Sequence, residues 1–181
     1  IGNGYVGVRG AFEEGYPGDK PVTLVHGLFD NAPIVFTELV NIPNWLDFHL
    51  VIQGETFRLD RGELLAYRRA LDLRNGVVIR QLRWRSPAGN TADLLFERFA
   101  SLDSPHLLVL RCQVTPVDFS GPVELHAGLN SHVENEGLLH WRVISQDNPD
   151  PQTAVLQVQT RHTQIDLGMA GYLRAAAPGA V

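Results

Sequence analysis

Residues 2–7 read Gly-Asn-Gly-Tyr-Val-Gly. This G-x-G-x-x-G spacing can cradle phosphates, either at the N-terminus of a helix in a dinucleotide fold or over ATP in a kinase. Both chemistries make further demands. The dinucleotide loop needs a helix to begin near Gly7, and the residues that follow, VRGAFEEGYPGDKP, hold three more glycines and two prolines. The kinase loop needs a strand lysine, and Lys20, the only lysine, lies in the turn-like GDKP. Asp118-Phe119-Ser120 has the outline of a magnesium motif but lacks an accompanying catalytic loop. The glycines are therefore expected to permit tight turns and positive φ.

Other chemistry-bearing residues are sparse. The pairs Glu13-Glu14 and Asp147/Asp150 could serve glycoside hydrolysis only if two acids faced each other across a bond. Lying in loops, they read as solvated charge. His126, His132 and His140 lack H-E-x-x-H or H-x-H spacing, so they read as surface or satisfied histidines and no metal site is expected. No G-x-S-x-G elbow suggests a serine nucleophile. Cys112, the only cysteine, sits in the apolar run LLVLRCQV and reads as a small buried residue. Asn44-Trp45 in ELVNIPNWLDFHL offers a flat ring beside amides, suited to stacking on a sugar or to closing a core.

The elements that position these residues read as β-strands. ELHAGLN alternates Leu125, Ala127 and Leu129 with Glu124, His126 and Asn130, and HLLVLRCQVT places Leu108, Leu110, Cys112 and Val114 on one face. QIDLGM alternates in the same way. Turn clusters fall at 86–90, 118–121 and 147–151. Asn75-Gly76 predicts a type I′ hairpin, and Gly54-Glu55 a second one. DRGELLAYRRALDLRNG resists, because Asp60 and Glu63 make a helical capping box. The reading there is a turn or short helix at 61–67, then a strand. Together these predict an all-β antiparallel sandwich in a single domain, 1–181.

At 181 residues and 44% hydrophobic, the chain can bury a real core. A net charge of −5 speaks against a nucleic-acid partner. No apolar run reaches the ~20 residues of a membrane helix, and no signal peptide is present in these residues. A cytoplasmic location is expected. The chain opens on Ile1 in mid-motif, and both ends read as cut from something longer.

Three stretches, taken in order, carry a family resemblance: GNGYVGVRGAFEEG, ELVNIPNWLDFHLVIQGETFRLDRGELLAYRRALDLRNGV and FERFASLDSPHLLVLRCQVTP. They resemble the N-terminal domain of glycoside hydrolase family 65, which includes maltose, trehalose and kojibiose phosphorylases and some hydrolases. The resemblance implies a galactose mutarotase-like super-sandwich, continuing beyond both ends of this chain and preceding a helical linker and an (α/α)6 barrel. It implies that a barrel glutamic acid protonates the glycosidic oxygen while inorganic phosphate attacks the anomeric carbon with inversion, or that base-activated water does so in the hydrolases. No position here matches those barrel motifs, so no catalytic residue is assigned. No cofactor is implied beyond phosphate as co-substrate. The implied partners are a disaccharide, through the barrel, and a second subunit in a homodimer. Carbohydrate-binding or interface candidates are Asn3, Tyr5 and Arg9 in the first loop, and Asn44 and Trp45 in the second. Missing strands would leave unpaired edges and exposed apolar faces. A stand-alone carbohydrate-binding or protein-interaction module is the alternative.

Overall fold

A computed structural model describes residues 1–32 and 36–177. Among them are thirteen strands and no helix. Every paired neighbour is antiparallel. One sheet orders β1 (Val6–Val8), β2 (Thr23–Asn31) and β3 (Thr37–Asn41). A second orders β10 (Val123–Asn130), β4 (Asn44–Ile52) and the short β5 (Glu55–Thr56). A third runs β11 (Trp141–Asp150), β12 (Thr153–Thr160) and β13 (Asp166–Tyr172). The largest orders β6 (Glu63–Asp72), β7 (Val77–Arg85), β8 (Thr91–Ala100) and β9 (Leu108–Pro116).

Alternation along the strands builds two cores. β8 points Ala92, Leu94 and Phe96 inward, and β7 adds Leu82 and Trp84. Phe48, Leu50 and Ile52 of β4 and Phe57 face them across the sandwich. Phe57 meets Trp84 edge-on, ring centroids 5.3 Å apart. The second core gathers Val6, Val25, Val40, Leu46, Trp141, Leu156 and Val158 from the first and third sheets and β4. β4 thus serves both cores, with Leu46 in one and Phe48 onward in the other.

Residues 63–72 form one continuous strand, not the turn or short helix expected over 61–67. Two things defeat the capping box. Gly62 adopts φ +78, and a Cβ there would lie 2.3 Å from the Arg85 carbonyl, so the chain bends sharply before Glu63. Glu63 itself pairs opposite Arg85 in the β6–β7 register and ion-pairs with it at 3.1 Å. The hairpin at Asn75-Gly76 forms, but through the four-residue loop 73–76. Asn75 is absent from the residues at positive φ, so this is not the expected type I′ turn. The second hairpin has that character instead: Gln53 (φ 52) and Gly54 (φ 80) turn β4 into β5, one residue earlier than the sequence suggested. β11 runs through the supposed turn cluster at 147–150, and the chain reverses only at 151–152.

Candidate functional site

A cleft of about 910 Å³ opens where β9, β10 and β13 lie side by side. Each of these strands ends its own sheet among the described residues. Leu110, Leu125, Leu129 and Met169 make its floor. Tyr5, Trp45 and His106 stand at its lining, as do Gln152, Tyr172 and Arg174. The Tyr5 and His106 rings meet edge-on at 4.4 Å. Tyr172 is 69% exposed, and its hydroxyl donates to Gln152 Oε1 at 3.2 Å.

Of the five sequence candidates, the structure brings Tyr5 and Trp45 to this cleft and leaves Asn3, Arg9 and Asn44 outside its lining. Trp45 is half-buried against the second core, and its indole N–H donates to Thr23 Oγ1 at 3.2 Å. Asn44 accepts the Leu46 N–H at 3.0 Å and so shapes the entry to β4. Asn3 is fully engaged in scaffolding. Its amide donates to the carbonyls of Ser101 (2.6 Å) and Pro105 (3.0 Å), while its Oδ1 accepts the N–H groups of Tyr5 and Val6. Arg9 is exposed.

The opening glycines act as turn formers. Gly4 takes φ +89, and a Cβ on Gly2 would lie 2.8 Å from the Val6 carbonyl. Gly7 lies within β1, where a nucleotide loop would begin its helix.

Two polar clusters are buried that the sequence reading did not assemble. Glu13 and Glu14, read there as solvated loop charge, are 3% and 8% exposed. Arg80 of β7 donates to Glu14 Oε1 at 2.9 Å and also contacts Glu14 Oε2, and its Nη2 lies 2.8 Å from Glu13 Oε2. Arg98 of β8 reaches Glu13 at 3.5 Å and donates to the Ala11 carbonyl at 3.0 Å. The Arg80 guanidinium also stacks on Phe96, 4.4 Å from its centroid. Burial pushes Arg98 down, with Glu13 opposing. Burial pushes Arg80 down too, but the hydrogen bond to Glu14 and both nearby carboxylates outweigh it and leave it raised.

The other cluster joins Asp30 of β2, Glu38 of β3, His140 just before β11, and the turn after β12. His140 Nδ1 lies 3.0 Å from Asp30 Oδ2, and its Nε2 lies 2.9 Å from Glu38 Oε1. Asp30 also accepts the backbone N–H groups of His162 and Thr163. Burial alone would raise the Asp30 carboxyl, but the hydrogen bonds from His140, Thr163, Asn31 and His162 win and hold it well below the usual carboxylate range. His140 is therefore a satisfied histidine, as expected. It does not converge with His126, which lies on the outer face of β10 beside Glu124. Among the described residues no group of three or more His, Cys, Asp or Glu is arranged to hold a metal. Cys112 is half-buried, and burial pushes its thiol up to about 12.

Strand parity could have marked one buried charge or more in each cluster, though not the partners. Arg80 is in phase with Leu82 and Trp84, Arg98 with Leu94 and Phe96, and Asp30 with Leu28, so each must point inward with them. A charge in phase with core residues is a buried charge.

The family model for the N-terminal domain of glycosyl hydrolase family 65 matches residues 1–180. A kojibiose phosphorylase of Halothermothrix orenii is 36% identical over 96% of this chain and 22% of its own length. An α,α-trehalose phosphorylase of Thermoanaerobacter brockii is 31% identical over 75% of the chain and 19% of its own. A solved structure titled "Putative kojibiose phosphorylase from human microbiome" superposes with a TM-score of 0.83 at 20% identity, over 94% of this chain and 24% of that one. That likeness is one of fold. The chain thus spans roughly a fifth to a quarter of the length of these relatives.

Proposed function

The chain belongs to glycosyl hydrolase family 65, as its N-terminal domain, and from that premise we propose that it is the non-catalytic β-domain of an inverting disaccharide phosphorylase. The substrate is an α-glucoside of the kojibiose or trehalose type, and inorganic phosphate is the co-substrate. The observation that carries this reading is the 36% identity to a kojibiose phosphorylase across 96% of the chain. The parent enzyme works in the cytoplasm as a homodimer, and its acid and phosphate site lie on a barrel domain. Among the described residues no helix is long and apolar enough to cross a membrane.

In this reading the first domain is scaffold. Asn3, Asn44, Glu13 and Glu14, four polar residues of the family-like stretches, are spent on holding loops. Tyr5, Trp45 and Arg9 remain available to face a sugar or the barrel.

The experiment uses the full-length parent protein with kojibiose, trehalose and maltose in phosphate buffer. Inverting phosphorolysis of an α-glucoside yields β-glucose 1-phosphate, which proton NMR identifies by its anomeric signal. Release of glucose without dependence on phosphate would replace the reading with hydrolysis. Phosphate-dependent turnover by the 181-residue chain alone would overturn its non-catalytic role.

A second reading, a carbohydrate-binding module, is favoured by the two aromatic rings, Tyr5 and Trp45, at one cleft. The other tryptophans, Trp84 and Trp141, are 1% and 5% exposed. A change in tryptophan emission on adding disaccharide therefore reports Trp45. Such a change, abolished in Trp45→Phe, establishes binding, and an unchanged spectrum at high sugar rejects it.

A further inference from the structure

We propose that His140 is a proton-operated latch on the β2–β3 hairpin: its doubly protonated ring holds Asp30 and Glu38 together, and loss of one ring proton releases Glu38. A neutral imidazole carries a single N–H and can donate to only one of two carboxylates. The other ring nitrogen then presents a lone pair to a carboxylate oxygen. His140 is 3% exposed, so water does not relieve that contact.

The two carboxylates are not equally bound. Asp30 also accepts from the backbone N–H of His162 (3.1 Å) and of Thr163 (2.9 Å), and Thr163 Oγ1 lies 3.3 Å away. Among the described residues the Glu38 side chain has only His140. Its side chain is 24% exposed, whereas Asp30 is fully buried. The single remaining proton therefore stays on Nδ1, facing Asp30, and Glu38 turns to solvent.

Asp30 and Glu38 stand directly opposite each other in the hairpin register. The next pair, Phe29 and Leu39, lies on the other face and is exposed. Loss of the Glu38 contact thus loosens the β3 side of a hairpin that carries an outward apolar pair. The groups facing the latch are Asp30 from β2, Glu38 from β3 and, from the turn after β12, His162, whose Nδ1 lies 3.4 Å from Asp30. The Arg161 guanidinium turns away to the Trp141 carbonyl. The latch is closed where both carboxylates are ionised and the ring holds two protons, and it opens as pH rises. The depressed Asp30 carboxyl keeps its side closed far into acid. None of this depends on the substrate or on the proposed reaction.

Hydrogen exchange read by mass spectrometry tests the latch by comparing acid with alkaline solution, from about pH 5.5 to about pH 8.5. Protection is corrected for intrinsic exchange rates, with β7–β8 as internal reference. We expect peptides covering Leu28–Asn31 and Thr37–Asn41 to lose protection as pH rises, by at most about tenfold per pH unit, the limit one linked proton sets, while β7–β8 stays flat. In Glu38→Gln the amide N–H donates to the unprotonated Nε2, so hairpin protection should remain high at both ends of the range. Flat hairpin protection in the wild type, or wild-type pH dependence in Glu38→Gln, overturns the proposal. Nitrogen NMR of labelled histidine gives an answer without any variant: both His140 ring nitrogens should be protonated at the acid end and one at the alkaline end. A single neutral tautomer throughout also overturns it.

Discussion

The arginine cluster and the histidine cluster solve one problem with different chemistry. The first buries two carboxylates, the second buries Asp30 and half-buries Glu38, and each ties a distant segment to a sheet. Arg80 reaches Glu14 across 66 residues, and His140 reaches Asp30 across 110. Arginine keeps its charge over the whole accessible pH range, so the clamp on the segment of Glu13 and Glu14 is permanent. A histidine bridge exists only while its proton does, so the clamp on the hairpin is conditional. Burial makes both expensive to half-dismantle, because removing one partner strands the other.

The sharpest way to break the comparison is Arg80→Ala. It leaves Glu13 and Glu14 buried without their main cation and should destabilise the domain by about 3–5 kcal/mol. Urea unfolding measures this, and a loss under about 1 kcal/mol would mean that water or a rearranged Arg98 replaces the guanidinium. Asp30→Asn comes next. It removes a charged acceptor from several donors at once and should cost about 1.5–3 kcal/mol near neutral pH.

The same variant separates the clusters by pH. The Asp30 carboxyl titrates lower in the folded protein than in the unfolded chain, so its stabilisation is full above the ordinary carboxylate range near 3.9 and drains away as pH falls below it. Asp30→Asn should therefore flatten the acid limb of a plot of stability against pH. Equal acid limbs in the two proteins would remove Asp30 as its source.

The smallest effect calibrates the rest. Arg83 and Asp93 form a bidentate pair at 2.7 and 2.8 Å on the outer face of β7–β8, with side chains 47% and 43% exposed. Arg83→Ala should cost about 0.2–1 kcal/mol and less in high salt. A cost matching that of Arg80→Ala would mean that burial does not set the scale.

Much of the fold was legible because strand parity is a local property. The inward faces of β9 and β10 fall where alternation put them, Leu110 and Cys112 against the core and His126 outside. β6 was not legible. Its local signals, Asp60 and Glu63 at helical capping distance, were good ones, and a tertiary fact, pairing with β7, overrode them. The candidate residues divide in the same way. Trp45 was singled out by residue type and Tyr5 with its loop, and both line the cleft. The hydrogen bonds that occupy Asn3 cross 98 and 102 residues, and no local pattern encodes them. Asp30 and Glu38 escaped because their meeting with His140 depends on which strands become neighbours.

That reach of Asn3 has a consequence in time. On the ribosome the loop of Asn3 emerges before its anchors at Ser101 and Pro105, which are made about 100 residues later. At ~5–20 residues per second that is a wait of roughly 5–20 s. Contacts this far apart in sequence also form slowly. The loop is thus synthesised well before it can be seated, a passenger until the segment between β8 and β9 supplies its berth.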